Sequence, residues 1–289
     1  MNCFFRDQQE ALYKATKPYQ YVGGEFLSYN KDFDSAKVRF AFVFPDKYEI
    51  GISNLGVRII YDRVNSHPRM MADRVYAPEP DFQPEFLYGV ESKRALKDFD
   101  GVGFSLQYEL SYPTVLKMLE MGGITVRNDK RRDDEPIILA GGPCTFNPLP
   151  LAEFIDVFCI GDGEEMMVEV CEVLEKTKGM PRRQRIEQLC KLKGCWGAGV
   201  SQTVEKRLAP LTLEYASTSY PIPFSSSVHD RAIVEIRRGC GRMCRFCQPG
   251  HVTLPIRERS AEDIIKITKE LIKNTGYDEY SLLSLSSND

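Results

Sequence analysis

The sequence has one tryptophan, three histidines and no large excess of charge of either sign. Lysine plus arginine total 38 against 41 for aspartate plus glutamate, a formal net charge of -3. This balance excludes a strongly basic protein that wraps nucleic acid, and also an acidic tail. The longest apolar region, residues 136–160, is interrupted by Glu153, Asp156 and several glycines and prolines, so it predicts no membrane span.

Residues 1–6, MNCFFR, lack the basic lead and the apolar stretch of a secretory signal, so we expect a cytoplasmic protein. In that compartment the nine cysteines are expected to be reduced thiols. A tight cluster among them would therefore indicate metal or redox chemistry rather than a disulfide framework.

Short apolar segments alternate with helical patterns over the first 180 residues. The strand-like segments are 38–44, 74–76, 101–106, 137–140 and 157–160. Helical patterns follow several of them, with Asn54 or Ser53 as the cap of the first. This alternation predicts an α/β fold with a doubly wound parallel sheet of Rossmann type, which binds ligands at the carboxyl ends of its strands.

Between about residues 181 and 228 the alternation stops. Arg182, Arg183 and Arg185 lie on a basic helical stretch, which we interpret as a solvated helix face, so we do not expect a nucleic-acid partner. Residues 217–227 are rich in serine and proline and resemble a linker. The predicted division is a domain over 1–180, a connecting segment over 181–228 and the start of a second domain over 229–289.

The second domain begins with a strand pattern at 232–236, followed by Cys240, Cys244 and Cys247 in C-x3-C-x2-C spacing. Three thiolates on one loop can hold three irons of a [4Fe-4S] cube and leave the fourth iron open for another ligand. The cysteine spacing therefore indicates an iron–sulfur site.

A helix pattern follows the cysteines, with Ser260 as its cap, Asp263 three residues later and Gly276 at its end. A further strand pattern covers residues 280–285. Strand, cysteine loop, helix and strand predict one βαβ unit, with the cysteines beyond the carboxyl end of its first strand.

The pattern Cys240-x3-Cys244-x-Phe246-Cys247 resembles the signature of radical S-adenosylmethionine (SAM) enzymes. The resemblance implies that the three cysteines bind a [4Fe-4S] cluster and that Phe246 lies near the adenine of SAM. It further implies that Ser286 and Ser287 lie where the family contacts the methionine amino group. One electron from the reduced cluster then cleaves SAM to a 5′-deoxyadenosyl radical, which implies an electron donor of flavodoxin or ferredoxin type. The substrate, a small molecule or a macromolecule, is not specified.

Upstream stretches such as FPDKYEIGISNLG and AGGPCTFNPLPLAEFIDVFCIGDGEE resemble radical SAM proteins with an N-terminal B12-binding-like domain. The resemblance covers nearly the whole chain, and it implies such a domain followed by the first βαβ portion of a radical SAM (β/α) barrel. It also raises cobalamin as a cofactor, but no D-x-H-x-x-G loop is present and His67 does not fit one. The domain then either lacks the vitamin or binds it through another lower face.

A complete (β/α) barrel needs about 200 residues or more, so we expect the chain to be a fragment whose activity requires the full-length protein. An isolated βαβ unit exposes apolar faces. We therefore expect four side chains to pack on the first domain or to drive association: Ile236, Ile264, Leu271 and Leu283.

A closed Cys3His zinc site is the alternative to iron. Cys240, Cys244, Cys247 and His251 have a spacing that permits it, in a structural or nucleic-acid-binding module without catalysis. The parallel βα context and the upstream resemblance favour iron and sulfur.

The remaining candidates have structural interpretations. Buried free cysteine usually behaves as a small apolar residue, and we expect this of Cys144, Cys159 and Cys171. His229 and Asp230 are expected to order the domain junction. The charged residues after the cysteines either line the barrel mouth or pair with one another in solvent, namely Arg257, Glu258 and Arg259.

Overall fold

The structure is a computed structural model, and it describes residues 8–201, 203–225 and 227–287. A mainly parallel six-stranded sheet forms its larger part, in the order β2-β1-β3-β4-β5-β6. Its strands are β1 (Val38–Phe44), β2 (Met70–Tyr76), β3 (Gly101–Ser105), β4 (Ile137–Gly141), β5 (Val157–Cys159) and β6 (Cys195–Trp196). The first five strands are parallel and β6 is antiparallel to β5. This confirms the predicted doubly wound sheet.

Helices cover both faces of this sheet. The helices of this part of the chain are α1 (Gln9–Lys14), α2 (Tyr48–Gly51), α3 (Leu55–Asn65), α4 (Tyr112–Met121), α5 (Met166–Lys176) and α6 (Arg182–Leu189). Of these, α1 packs in a separate apolar cluster away from the sheet. One apolar cluster joins β1 to α3 and α5, and a second joins β3 and β4 to α4. Because both faces are buried, the strands are almost uniformly apolar rather than alternating.

Local sequence signals account for the helix starts in this region. The side chain of Asn54 caps α3 by accepting a hydrogen bond from the Val57 N–H at 3.0 Å. Of the two predicted candidates, Ser53 and Asn54, it is Asn54 that caps the helix. Pro113 lies in the first turn of α4, where its missing N–H leaves no hydrogen bond unmade. The predicted strand at 74–76 is longer than expected and begins at Met70.

The interpretation of the three arginines as a solvated helix face is wrong for two of them. Arg182 and Arg185 are buried on α6, and Arg182 donates to the Asp156 carboxylate and to the Glu135 carbonyl (3.0 Å). A buried carboxylate distant in sequence supplies the countercharge, so the helix presents its basic side inward. The predicted domain division stays a prediction, although β6, from the connecting segment, pairs with β5.

The C-terminal part contains the predicted βαβ unit. β7 (Ala232–Glu235) pairs in parallel with β10 (Tyr280–Leu283), and α8 (Ala261–Thr275) connects them. Ser260 caps α8 by accepting from the Asp263 N–H at 3.1 Å, and Gly276 ends it with a φ of 75°. Between β7 and α8 lie β8 (Arg237–Arg238), α7 (Gln248–Val252) and β9 (Arg257–Glu258). β8 and β9 form an antiparallel pair, called the ribbon below.

A small apolar cluster holds this unit together. Leu271 of α8 is fully buried against Val234 of β7 and Tyr220, which comes from the serine- and proline-rich segment. Ile264 and Ile236 are partly buried, whereas Leu283 is 41% exposed. Four side chains were expected to pack on the first domain or to drive association. Leu271 instead packs mainly within the βαβ unit, and Leu283 remains at the surface.

Within the described residues we find no helix with the length and apolar character that a membrane crossing requires.

Candidate functional site

A cavity of about 540 Å³ lies between the carboxyl edge of the six-stranded sheet and the βαβ unit. The carboxyl-terminal parts of β3 and β4 and the turns after β4 and β5 form one wall, including Gly103, Gly141 and Gly163. Residues before and after the cysteines form the opposite wall, including Gly239 and Pro249, and the end of β10 contributes Leu285. The cavity is at the sheet edge where parallel α/β folds bind ligands.

The cysteine loop, residues 239–256, connects the two strands of the ribbon. Cys247 directly precedes α7, and its N–H donates to the Cys244 carbonyl at 3.0 Å. Cys244 is exposed, while Cys240 and Cys247 are half-buried. A donor set of three thiols on one short segment matches the chemistry of an iron–sulfur cluster. In the described part of the chain, however, no three His, Cys, Asp or Glu side chains are close enough to form a metal-binding group.

The loop starts at a backbone position that only glycine tolerates. Gly239 has a φ of 87°, and a Cβ atom there would lie 2.9 Å from the Pro255 carbonyl oxygen and 3.0 Å from the Ile256 Cα. The two ends of the cysteine loop therefore approach each other more closely than any side chain would allow. Gly239 was not among the predicted site residues, although its position directly before Cys240 indicates a backbone constraint at the start of the loop.

His251, the fourth ligand of the zinc alternative, lies on α7. Its Nε2 atom is 3.1 Å from the Cys244 carbonyl oxygen, so the ring contacts loop backbone. The described residues form no Cys3His group.

The three residues assigned to SAM by resemblance lie in different surroundings. Phe246 is 93% exposed at the tip of the cysteine loop. The Ser286 carbonyl accepts a hydrogen bond from Arg237 Nη1 at 3.0 Å, and the Ser287 hydroxyl lies 2.8 Å from that of Ser284. Ser284 and Leu285 line the cavity, so the end of β10 reaches it. The roles of Phe246, Ser286 and Ser287 stay predictions.

Ion pairs join the ribbon to the turn after β5. Asp162, in that turn, accepts a hydrogen bond from Arg257 and lies 3.3 Å from Arg238 Nη1. Glu164 lies 2.5 Å from Arg238 Nη2. Burial acts to raise the pKa of Asp162, but the Arg257 hydrogen bond and the Arg238 charge outweigh it and lower that pKa below its usual value.

The charged residues after the cysteines do not pair with one another, which corrects one of the two expectations for them. Arg257 contacts Asp162, Arg259 donates to the Thr212 carbonyl at 2.7 Å, and Glu258 lies 3.2 Å from Arg237 Nε. The reason is topological, because residues adjacent in a strand point to opposite faces and so cannot meet.

One further residue at the site, Lys206, lay outside the sequence predictions. Lys206 donates to the carbonyls of Val252 (2.9 Å) and Leu254, and thereby ties the connecting segment to the cysteine loop. It also stands 5.7 Å from the Phe146 ring centroid. A lone lysine outside any motif offers no sequence signal for this contact.

The other cysteines are consistent with structural roles. Cys144, Cys159 and Cys171 are buried and free, and burial raises the pKa of Cys171. Cys159 faces Cys195 across the β5–β6 pair, and their hydrogen bond together with burial raises the pKa of Cys195. These thiols are poor nucleophiles. His229, expected at the domain junction, does contact the first region there, through a 3.4 Å hydrogen bond from its N–H to Ser53 Oγ.

Comparison with known proteins shows what the first region is similar to. Residues 56–197 match the family model described as "Radical SAM proteins, N-terminal". This part of the chain is therefore similar to the N-terminal region of radical SAM proteins, in agreement with the resemblance found in the sequence. It is also 25% identical over 254 residues to an uncharacterized protein of Methanocaldococcus jannaschii, covering 86% of this chain and 49% of that protein. The chain thus spans about half the length of the curated relative it matches.

One solved structure supports the fold. The radical SAM methyltransferase TsrM from Kitasatospora setae, with cobalamin and a [4Fe-4S] cluster bound, matches with a TM-score of 0.52 and 10% identity. The match covers 85% of this chain and 48% of TsrM. TsrM with its tryptophan substrate and a SAM analogue matches with a TM-score of 0.47 and 10% identity, over 84% of this chain and 47% of TsrM. The match with a TM-score of 0.52 supports the α/β fold with its mostly parallel six-stranded sheet.

Proposed function

We propose that this chain is part of a radical SAM enzyme in which Cys240, Cys244 and Cys247 bind a [4Fe-4S] cluster. One observation carries the proposal: the three cysteines lie on a single loop beside a cavity, in a βαβ unit joined to a radical SAM N-terminal domain. The proposed reaction is reductive cleavage of SAM to a 5′-deoxyadenosyl radical.

The chain's own residues would hold the cluster and orient its ligand. Three thiolates leave one iron free to be chelated by the methionine end of SAM, and the cluster supplies the electron. Gly239 permits the tight closure of the loop that carries the sulfurs. We assign Phe246 to the adenine because of its place in the cysteine motif. We assign the 286–287 segment to the methionine amino group because β10 ends at the cavity. The substrate is left unassigned.

Cobalamin is a second cofactor to test, because TsrM binds it on the same fold. The described residues that line the cavity include no histidine. His67 follows α3 at the opposite, amino edge of the sheet, where its carbonyl accepts from Lys31 Nζ at 2.6 Å. We therefore propose that this domain does not use a histidine ligand to cobalt. The experiment mixes the protein with hydroxocobalamin, desalts it and records the cobalamin absorption spectrum. Retained absorption indicates binding through another face, and its loss indicates no binding.

We also propose that SAM cleavage requires the full-length protein, and that the electron comes from a donor of flavodoxin or ferredoxin type. A cytoplasmic location fits reduced, metal-binding thiols. Within this proposal, neither nucleic acid nor a membrane is a partner.

Anaerobic reconstitution with iron and sulfide tests the cluster assignment. We expect about four irons per chain, a brown colour and a low-temperature EPR signal after reduction. Cys244→Ala should lose them, whereas Cys190→Ala, a half-buried cysteine away from the loop, should keep them. In the full-length protein, Cys244→Ala should also abolish 5′-deoxyadenosine formation. Stoichiometric colourless zinc in the wild type, or full iron retention in Cys244→Ala, would overturn the proposal.

A further inference from the structure

The ribbon places two arginines side by side at the base of the cysteine loop. Arg238 and Arg257 are directly opposite each other in the β8–β9 pair. Like charges at directly opposite positions destabilise a strand pair. Negative charge near the two guanidinium groups therefore favours closure of the loop at its base.

Asp162 supplies that charge to both arginines at once. Its Oδ2 atom accepts from Arg257 Nη1, and its Oδ1 atom lies 3.3 Å from Arg238 Nη1. The carboxylate is mostly buried, with 16% of the side chain exposed. It comes from the turn after β5, 95 residues before Arg257, so it joins the six-stranded sheet to both ends of the loop.

Backbone contacts hold Asp162 in this place. Its own N–H donates to the Arg207 carbonyl at 3.0 Å, and the Ala209 N–H donates to its Oδ2 atom at 2.9 Å. The preceding residue, Gly161, has a φ of 113°, and a Cβ there would lie 2.1 Å from the Arg207 carbonyl oxygen. The turn is therefore seated against the 207–209 segment before the carboxylate reaches the ribbon.

The two arginines depend on Asp162 to different degrees. Arg238 has two other carboxylate partners, Glu164 at 2.5 Å and Glu235 at 2.8 Å. Among the ion pairs of the described residues, Arg257 pairs with Asp162. Arg257 Nη1 also donates a hydrogen bond to the Ala209 carbonyl at 2.6 Å. Loss of the Asp162 charge would thus release mainly the Arg257 end of the loop.

We propose that Asp162 is a positioning residue that closes the base of the cysteine loop and so sets where its three sulfurs lie relative to the cavity. The inference rests on the proposed function of the cysteines and adds to it a residue from the other region. Asp162 acts through Arg238 and Arg257 and touches neither the cysteines nor their ligand.

Asp162→Asn tests the proposal because it removes the charge and keeps an acceptor for the Ala209 N–H. Glu165→Gln is the matched control, since Glu165 lies in the same turn but pairs with Arg207 instead of the ribbon. Trypsin cleavage at Arg242 and Arg245 measures loop opening without any metal. We expect about tenfold faster cleavage in Asp162→Asn than in wild type or the control, because proteolysis follows the open population.

The reconstituted protein gives the second readout. Asp162→Asn should shift the EPR g values of the reduced cluster, and Asp162→Glu, which keeps the charge, should restore them at least in part. If Asp162→Asn lowers the melting temperature by many degrees, Arg257→Gln replaces it as the test variant. Arg257→Gln removes the same ion pair from the loop side and leaves the turn after β5 unchanged. Wild-type trypsin rates in both Asp162→Asn and Arg257→Gln would overturn the inference. A wild type that binds no iron would overturn the proposed function alone, because the trypsin comparison does not depend on iron.

Discussion

The six-stranded sheet and the parallel β7–β10 sheet follow the same βα pattern but differ in how completely they are covered. β4 of the six-stranded sheet contains Ile137 and Ile138, both fully buried between helices. In β10 of the two-stranded sheet, Leu282 is 51% exposed, and Ile265 on α8 is 54% exposed. Parallel strands are stable when both faces of the sheet are covered. Both faces are covered in the six-stranded sheet, whereas apolar side chains of β10 and α8 remain exposed in the second region.

Truncation of a core leucine in each region should give the largest contrast in stability. Leu174→Ala in α5 removes a fully buried side chain packed on Gly101, and we expect a loss of about 2–5 kcal/mol in the free energy of unfolding. Leu282→Ala in β10 should cost less than about 0.5 kcal/mol. Urea unfolding measures both. Equal losses would show that β10 is covered in solution and would remove the contrast.

Thiol labelling should separate the two regions by about 100-fold in rate, because a buried thiol must wait for local unfolding. In metal-free reduced protein, exposed Cys244 should react quickly with iodoacetamide, whereas Cys171, whose pKa is raised by burial, should not. Peptide mass spectrometry follows each site. Comparable rates would mean that the first region opens as readily as the loop.

Gly161→Ala should weaken the junction between the regions. The added Cβ meets the Arg207 carbonyl oxygen at 2.1 Å and also requires a left-handed φ, so we expect a cost of about 1–3 kcal/mol. Gly179→Ala is the control, since it has a φ of 82° but no atom within 4 Å of the new Cβ. Thermal unfolding of the two variants separates the clash from the backbone strain. If Gly179→Ala lowers stability as much as Gly161→Ala does, backbone strain at a positive φ explains the whole loss and the clash with Arg207 contributes nothing.

The smallest effect is expected from charge on the exposed face of the second region. Leu282→Lys should change the free energy of unfolding by no more than about 0.5 kcal/mol, yet reduce any self-association through that face. Light scattering against concentration measures the association, with Lys269→Leu on α8 as the converse variant. Unchanged scattering in both variants would show that this face does not attract other copies.

Local signals predicted most elements of the fold. The apolar run at 38–44 became β1 with the same bounds, and Asn54, Ser260 and Gly276 act as caps where the sequence placed them. The cysteine spacing likewise located the loop. These features depend on periodicity and on hydrogen bonds between residues a few positions apart, so a linear sequence contains the information they need.

Contacts between distant residues were not predictable in the same way. Arg182 is buried against the Asp156 carboxylate, and Arg257 at the base of the cysteine loop donates to Asp162. Asp162 belongs to a glycine turn, and turn chemistry alone would explain that turn. The sequence by itself determined the strands, the caps and the three clustered cysteines. Only the tertiary structure decided which charges neutralise one another and which apolar faces are covered, because both depend on which segments the fold brings within a few ångströms.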